Sequence, residues 1–313
     1  MTIMNTSCLS QPWCMDAVSS PQVSVGTQAN TSNSRWMQAV AIVLAMACSV
    51  GCRPKYRDDL DYTYSVQQTW PLEDLDHGEI VQFESVFWDP DDTVSLRKLI
   101  VDDRIAAGRD VLEIGTGTGV LSILALQGDA KRVVATDINQ AAVANAKYNA
   151  AMLVPELQLE VRQVDQEHPE AFDAIDDTER FDLIISNPPW EDGTVTNPAD
   201  HAFYDPGFTL MNSLLDGLPK HLKPGGRCLL AYGHRPAIER LRSECEQRGF
   251  EFKILDERDL KSLEQDFLPG MLVEVRPPLQ LQASSAVDSN AKQASGQRSD
   301  AAGDQAPGEA SRD

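Results

Sequence analysis

Asn187-Pro188-Pro189-Trp190 is the stretch of this 313-residue chain whose residue types do the most specific chemistry. An Asn side-chain oxygen and the carbonyl of Pro188 both accept hydrogen bonds. Two consecutive prolines stiffen the backbone, so the acceptors keep a fixed relation to each other. A planar NH₂ group donating to both would be held with its nitrogen lone pair free toward an electrophile. Trp190 can stack on the attached amide or base. A weak nucleophile of that kind needs alignment more than it needs a strong base. The competing view makes Pro-Pro a loop exit after a strand and Trp190 a core anchor.

A second constellation lies upstream. Val111-Leu112-Glu113-Ile114 reads as a buried strand carrying one acid, and Gly115-Thr116-Gly117-Thr118-Gly119 follows it as a turn. An apolar helix opens at Val120. Bare backbone at a helix N-terminus lets a ligand lie close. Asp137 ends the next strand, with Ile138 after it, 18 residues beyond Gly119. That spacing suits an acid accepting hydrogen bonds from ribose hydroxyls. Asp165 follows a third strand and can take an exocyclic amine of adenine. Each acid alone has a bland alternative as a solvated strand end. The spacing Gly-x-Gly-x-Gly differs from the Gly-x-Gly-x-x-Gly of dinucleotide sites. A nicotinamide dinucleotide and a compact adenosyl ligand with an amino-acid tail both remain open on these residues.

The elements that must position these groups alternate. Apolar strands are expected at 111–114, 132–137, 157–164, 181–186, 227–232, 251–255 and 271–275. Helices are expected at 120–126, 141–151, 208–222 and 236–248 by their 3.6-residue apolar period. A further helix, capped by Asp92 or Thr93, is expected to run to about Asp103. Lys223-Pro224-Gly225-Gly226 is expected to end the helix at 208–222. Alternation implies a parallel sheet covered on both faces. The connection from 255 to 271 is too short for a crossover helix, so the last two strands imply one antiparallel strand. The fold expected is α/β, Rossmann-like and doubly wound, with seven strands.

The domain plan has four parts. Residues 1–52 form a leader, and 53–85 an acidic N-terminal arm with scattered aromatics. The domain proper spans 86–279. Residues 280–313 are poor in large apolar side chains and are expected to be disordered. Within the leader, 36–50 is apolar and ends in Gly51-Cys52. Ala45-Met46-Ala47-Cys48 and Ser49-Val50-Gly51-Cys52 both resemble the lipobox of bacterial lipoproteins. An export or membrane anchor through Cys48 or Cys52 is one expectation, and an accidental apolar stretch from an early start codon is the other.

Net charge is −21, and 53–279 holds 42 acidic and 23 basic residues. A surface this acidic, with no basic run, disfavours extensive nucleic-acid contact without excluding a short RNA contact. The six cysteines form no Cys-x-x-Cys pair and no zinc spacing, so no metal is expected. Cys228 and Cys245 are expected as buried free thiols. His201 and His234 lie near the motifs and receive no role.

From Phe87 to Val275 the chain resembles class I S-adenosylmethionine-dependent methyltransferases. The resemblance is carried by Glu113-Ile-Gly-Thr-Gly-Thr-Gly119, Asp137, Asp165, Asn187-Pro-Pro-Trp190 and Leu222-Lys-Pro-Gly-Gly226. The Asn-Pro-Pro-aromatic signature is similar to that of release-factor glutamine methyltransferases and of base amino-methyltransferases. Phe87-x-x-Pro90-x-x-Thr93 is similar to the segment before their first strand. The resemblance implies S-adenosylmethionine as cofactor and methyl transfer to an amide or amino nitrogen. It implies that Glu113, Gly115, Gly117 and Gly119 hold the methionine part, Asp137 the ribose and Asp165 the adenine side, with Thr116, Ile138 and Asn187 also among the cofactor-binding residues. It implies that Asn187, Pro188, Pro189 and Trp190 receive the acceptor. Trp in the fourth position departs from the commoner Tyr or Phe. Gly119 to Asn149 looks more like the ribosomal-protein and arginine methyltransferases, and these residues show no clear equivalent of the helical substrate domain of the release-factor enzymes. A protein glutamine or a small molecule is the first acceptor class and an rRNA base amine the second. A Rossmann oxidoreductase and a catalytically inactive lipoprotein are the alternatives of other classes. Cofactor supply places an active enzyme in the cytoplasm.

Overall fold

The computed structural model describes residues 57–263 and 266–279. The leader at 1–52 and the tail at 280–313 lie outside the described residues, as does the lipobox-like segment. All elements fall in the unit Asp58–Asp313.

A two-stranded antiparallel hairpin comes first, β1 (Val66–Pro71) with β2 (Glu79–Phe83). A 3₁₀ turn over Pro90–Thr93 leads into α1 (Val94–Val101). There follow β3 (Asp110–Ile114), α2 (Val120–Gln127), β4 (Arg132–Asp137), α3 (Gln140–Leu153) and β5 (Leu159–Gln163). The second half holds β6 (Phe181–Ser186), α4 (Thr209–His221), β7 (Leu222–His234), α5 (Arg235–Gln247), β8 (Glu251–Ile254) and β9 (Phe267–Arg276). Seven strands form one sheet in the order β5-β4-β3-β6-β7-β9-β8. β9 runs antiparallel to both β7 and β8, and the other pairs are parallel. The expected fold is the observed one.

The pattern of burial explains the layers. Along β3 and β6 alternate side chains enter opposite cores. Leu112, Ile114 and Ile184 join the cluster beneath α4 and α5. Val111, Leu183 and Ile185 join the cluster beneath α1 and α2. Strands buried on both faces read as unbroken apolar runs. Helix α2 is packed from all sides, so every residue from Val120 to Leu126 is buried. Cys228 and Cys245 are buried and free, and burial pushes both thiols up, Cys245 to about 12.

One reading needs correction and two gain detail. The arm at 53–85 contains the β1–β2 hairpin, whose polar, acidic residues hide the strand period because its outer face is exposed. Asp89 caps the 3₁₀ turn, its Oδ1 accepting from Asp91 N at 2.9 Å, while Thr93 stands at the N-cap of α1 without a side-chain cap bond. Lys223-Pro-Gly-Gly226 does not stand apart from the strand: α4 stops at His221 and β7 already begins at Leu222. Its pairing with β6 shifts register between Phe181 and Leu183, which absorbs the two glycines.

The hairpin is held by α3. Asn149 Oδ1 accepts from Val81 N at 3.0 Å, and Asn149 Nδ2 donates to Val81 O at 2.8 Å. Asn145 Oδ1 accepts from Phe83 N at 2.9 Å. Two side-chain amides on one helix face thus satisfy backbone groups that a further strand would otherwise pair.

Candidate active site

The strand order reverses at β3, which pairs with β4 on one side and β6 on the other. In an open parallel sheet this switch point leaves a crevice at the strand C-termini. Ser186 Oγ donates to Ile114 O at 2.6 Å, tying the end of β6 to the end of β3. Asn187 therefore begins beside Gly115. The two sequence constellations meet here, around a cavity of about 190 Å³.

The glycine turn bends around the end of β4. Gly115 N and Thr116 N both donate to Thr136 O, at 2.9 and 3.0 Å. Gly115, Gly117 and Gly119 all have positive φ, the region an L side chain disfavours. Asp137 Oδ2 accepts from Gly117 N at 2.9 Å and its Oδ1 from Asn139 N at 2.8 Å. Burial pushes this carboxyl up to about 6, against the backbone bonds that hold it down. Glu113 is 2% exposed. Its Oε2 accepts from Thr116 Oγ1 at 2.8 Å, from Ser122 N at 3.1 Å and from Ser122 Oγ. Burial raises it to about 7 although these bonds oppose the rise. Oε1 is left as the oxygen that can serve a cation in the cavity.

Glu113, Gly115, Thr116, Gly117, Asp137, Ile138, Asn187, Pro188 and Pro189 all line the cavity. Three expected residues do not. Gly119 faces α3 instead: a Cβ there would lie 2.9 Å from Ala146 Cα, so its part is to let α2 and α3 approach. Asp165 is exposed, and its Oδ1 accepts from Glu167 N at 2.9 Å in a turn. Strand β5 ends at Gln163, so Asp165 falls beyond the crevice edge, and Val164 and Glu170 form that wall. Trp190 is half-buried and packs against the cluster under α4 and α5, outside the cavity lining. Its ring covers Gly233, at which a Cβ would lie 2.3 Å from the indole. This packing accords with the competing view of Trp190 as an anchor. The aromatic rings at the cavity are Phe87, Trp88 and Tyr204.

Sequence reading missed part of the wall. The loop after Trp190 folds back through a bridge between Glu191 and Tyr204 and brings His201, Tyr204 and Asp205 to the cavity. Asp205 caps α4, accepting from Leu210 N at 2.8 Å and Met211 N at 3.0 Å. The Asp205-Pro206 pair before an apolar helix was the available signal. Burial lowers the pKa of His201. Thr93 reaches the cavity from the turn before α1.

Several polar atoms around this cavity are buried and have no hydrogen-bond partner: Trp88 Nε1, Thr93 Oγ1, Thr118 Oγ1 and Asn187 Oδ1. Unmet buried polar atoms are costly, and together they mark a surface shaped for a polar ligand. The charged residues lining the cavity are all acids, with no Lys or Arg among them. Such a lining favours a ligand carrying positive charge.

Residues 92–188 match the family model for ribosomal protein L11 methyltransferase (PrmA). The chain is 36% identical over 140 residues to a release factor glutamine methyltransferase of Cereibacter sphaeroides, covering 39% of this chain and 46% of that one. It is 33% identical over 147 residues to a Methanocaldococcus jannaschii protein assigned as a protein N5-glutamine methyltransferase, covering 45% of this chain and 68% of that one. It is 30% identical over 173 residues to ribosomal RNA small subunit methyltransferase C of Serratia proteamaculans, covering 55% and 44%. The chain spans about half the length of the release-factor relatives it matches.

Proposed function

The chain belongs to the S-adenosylmethionine-dependent methyltransferases with an Asn-Pro-Pro-aromatic motif, and from that premise we propose that it methylates the nitrogen of a planar carboxamide, with protein glutamine as the leading acceptor. The observation that carries this reading is the buried, unpartnered Oδ1 of Asn187 at the crevice where the glycine turn ends.

The residues present fit S-adenosylmethionine. Asp137 keeps lone pairs for ribose hydroxyls after serving Gly117 and Asn139. Glu113 Oε1 and the all-acid lining suit an ammonium and a sulfonium. Val164 and Ala142 offer apolar walls for a base, and Thr118 Oγ1 offers a free hydroxyl. When bound, the cofactor supplies a methyl group activated by its positive sulfur. Asn187 Oδ1 accepts a hydrogen bond from one N–H of the acceptor NH₂ and the Pro188 carbonyl from the other, the prolines hold both in place, and the methylated nitrogen releases one of these protons to solvent during or after transfer. Fixing the nitrogen in line with the methyl replaces the need for a strong base. Pro189 stiffens the loop, and Trp190 anchors it from behind rather than touching the acceptor. Tyr204 and Phe87 take over as the aromatic walls. Asp165 stands one residue beyond Val164, at the rim of the same wall.

An rRNA base amine is the second reading, favoured by the relative that acts on ribosomal RNA. The absence of Lys and Arg from the cavity lining weighs against it. Family membership removes the ground for a nicotinamide oxidoreductase. Cofactor supply supports a cytoplasmic location. Intact mass of the natural protein decides that point, since a lipid on Cys48 or Cys52 would replace it with a membrane anchor.

The test of the reading is transfer of labelled methyl from S-adenosylmethionine into cell extract separated into protein and RNA. Label on protein, stable to mild base and mapped to a side-chain amide, is the expected result. Label confined to RNA would favour the second reading.

A further inference from the structure

Asp92 is 8% exposed and sits behind Asn187, outside the cavity lining. The Asn187 side chain hydrogen-bonds to the Asp92 carboxylate. A carboxylate only accepts, so the bond must come from Asn187 Nδ2. The opposite end of the same amide, Oδ1, is the buried atom without a partner. A side-chain amide whose two ends are nearly equal in size is thus given one orientation by a charge placed behind it.

The turn that carries Asp92 cannot easily yield. Asp89 caps it at Asp91 N, 2.9 Å away, and Arg97 Nη2 donates to Pro90 O at 2.9 Å. On the far side β9 presses against it: a Cβ at Gly270 would lie 1.8 Å from Asp92 O. Arg258 Nη2 in turn donates to Gly270 O at 3.0 Å.

We propose that Asp92 is a positioning residue for methyl transfer, setting the Asn187 amide so that Oδ1, and not Nδ2, faces the acceptor nitrogen. The proposal rests on the functional reading above. An acceptor NH₂ brings two donors. Facing Nδ2 it would meet a third donor, and a flip of Asn187 would also set Oδ1 against the Asp92 oxygens. Asp92 therefore penalises the wrong orientation on both sides at once. It touches neither donor nor acceptor.

The charged groups around the turn are Asp89 and Asp91 within it, Arg97 from α1, and Arg258 beside Gly270 of β9. Burial and the neighbouring Asp89 push Asp92 up to about 6. The Asn187 side-chain amide, observed by nitrogen-15 NMR in the full chain and assigned by its loss in Asn187→Ala, should therefore carry a low-field proton that moves through a transition near pH 6. In Asp92→Asn that transition should vanish, S-adenosylmethionine affinity by calorimetry should change less than about twofold, and kcat should fall roughly 100-fold. The swap Asp92→Asn/Asn187→Asp puts an acceptor at 187 in either orientation and should recover part of that loss. A merely structural role would not give that recovery. An Asn187 amide with no titration in the natural protein, or unchanged by Asp92→Asn, overturns the proposal. The NMR arm decides it even where no carboxamide is methylated, an outcome that sinks the functional reading alone.

Discussion

At the scale of single residues, the site runs on buried carboxylates. Glu113 is raised to about 7 and Asp137 to about 6, both first by burial. A raised folded pKa contributes stability that is full below the unfolded value, near 4, and is lost as pH rises through the folded value. The ligand-free protein should therefore gain thermal stability between pH 8 and pH 5.5, and Glu113→Gln should flatten that gain; scanning calorimetry reads both. Cofactor binding should run the other way. Ribose hydroxyls need the ionised Asp137, so affinity should fall up to about tenfold per unit as pH drops below 6, and Asp137→Asn should bind weakly at every pH. Sequence reached Glu113, Asp137 and Asn187 because strand ends and a glycine turn fix where such residues point. Asp165 and Trp190 fall outside the cavity lining, which depends on where β5 stops and on the space left by Gly233. Those are facts of packing that no local spacing encodes. Asp92 was read as a helix cap, which it is not, and its neighbour 95 positions later in the chain was not legible.

At the scale of elements, the glycine turn is held from behind by α3 and the hairpin. Asn149 Nδ2 donates to Val81 O and also to Thr118 O, at 2.8 Å each. One side chain thus ties the hairpin to the ligand turn. Asn149→Ala should cost roughly 2–3 kcal/mol in urea unfolding, since it strands buried backbone groups, and should weaken cofactor binding as well. Gly119→Ala combines a φ of 85° with the close approach to Ala146. It should destabilise by about 2 kcal/mol or more. An unchanged unfolding midpoint in either variant would contradict this picture. Strand and helix order, including the antiparallel β9, was readable because buried strands carry unbroken apolar runs. The hairpin was not, because β1 is almost entirely exposed and its partner gets its support from side chains of α3.

At the scale of the whole molecule, charge and fold act together. A net charge of −21 surrounds a cavity lined by acids alone among its charged groups. Turnover on a protein acceptor should change less than about threefold between 50 and 200 mM salt, whereas an RNA acceptor gripped through several phosphates would lose roughly a thousandfold in affinity over that range. Initial rates at several salt concentrations separate the two. Among the described residues no helix is long and apolar enough to cross a membrane. The central claim is that Asn187 presents an acceptor to a carboxamide nitrogen while the glycine turn and Asp137 hold the donor. Fragment mass spectrometry of the methylated product, made with the natural chain and with Asn187→Ala, tests it most directly. The account predicts a methyl on a side-chain amide nitrogen, lost in Asn187→Ala while S-adenosylmethionine still binds with near-natural affinity. A methyl on oxygen or carbon, or one still transferred at near-natural rate by Asn187→Ala, would contradict it.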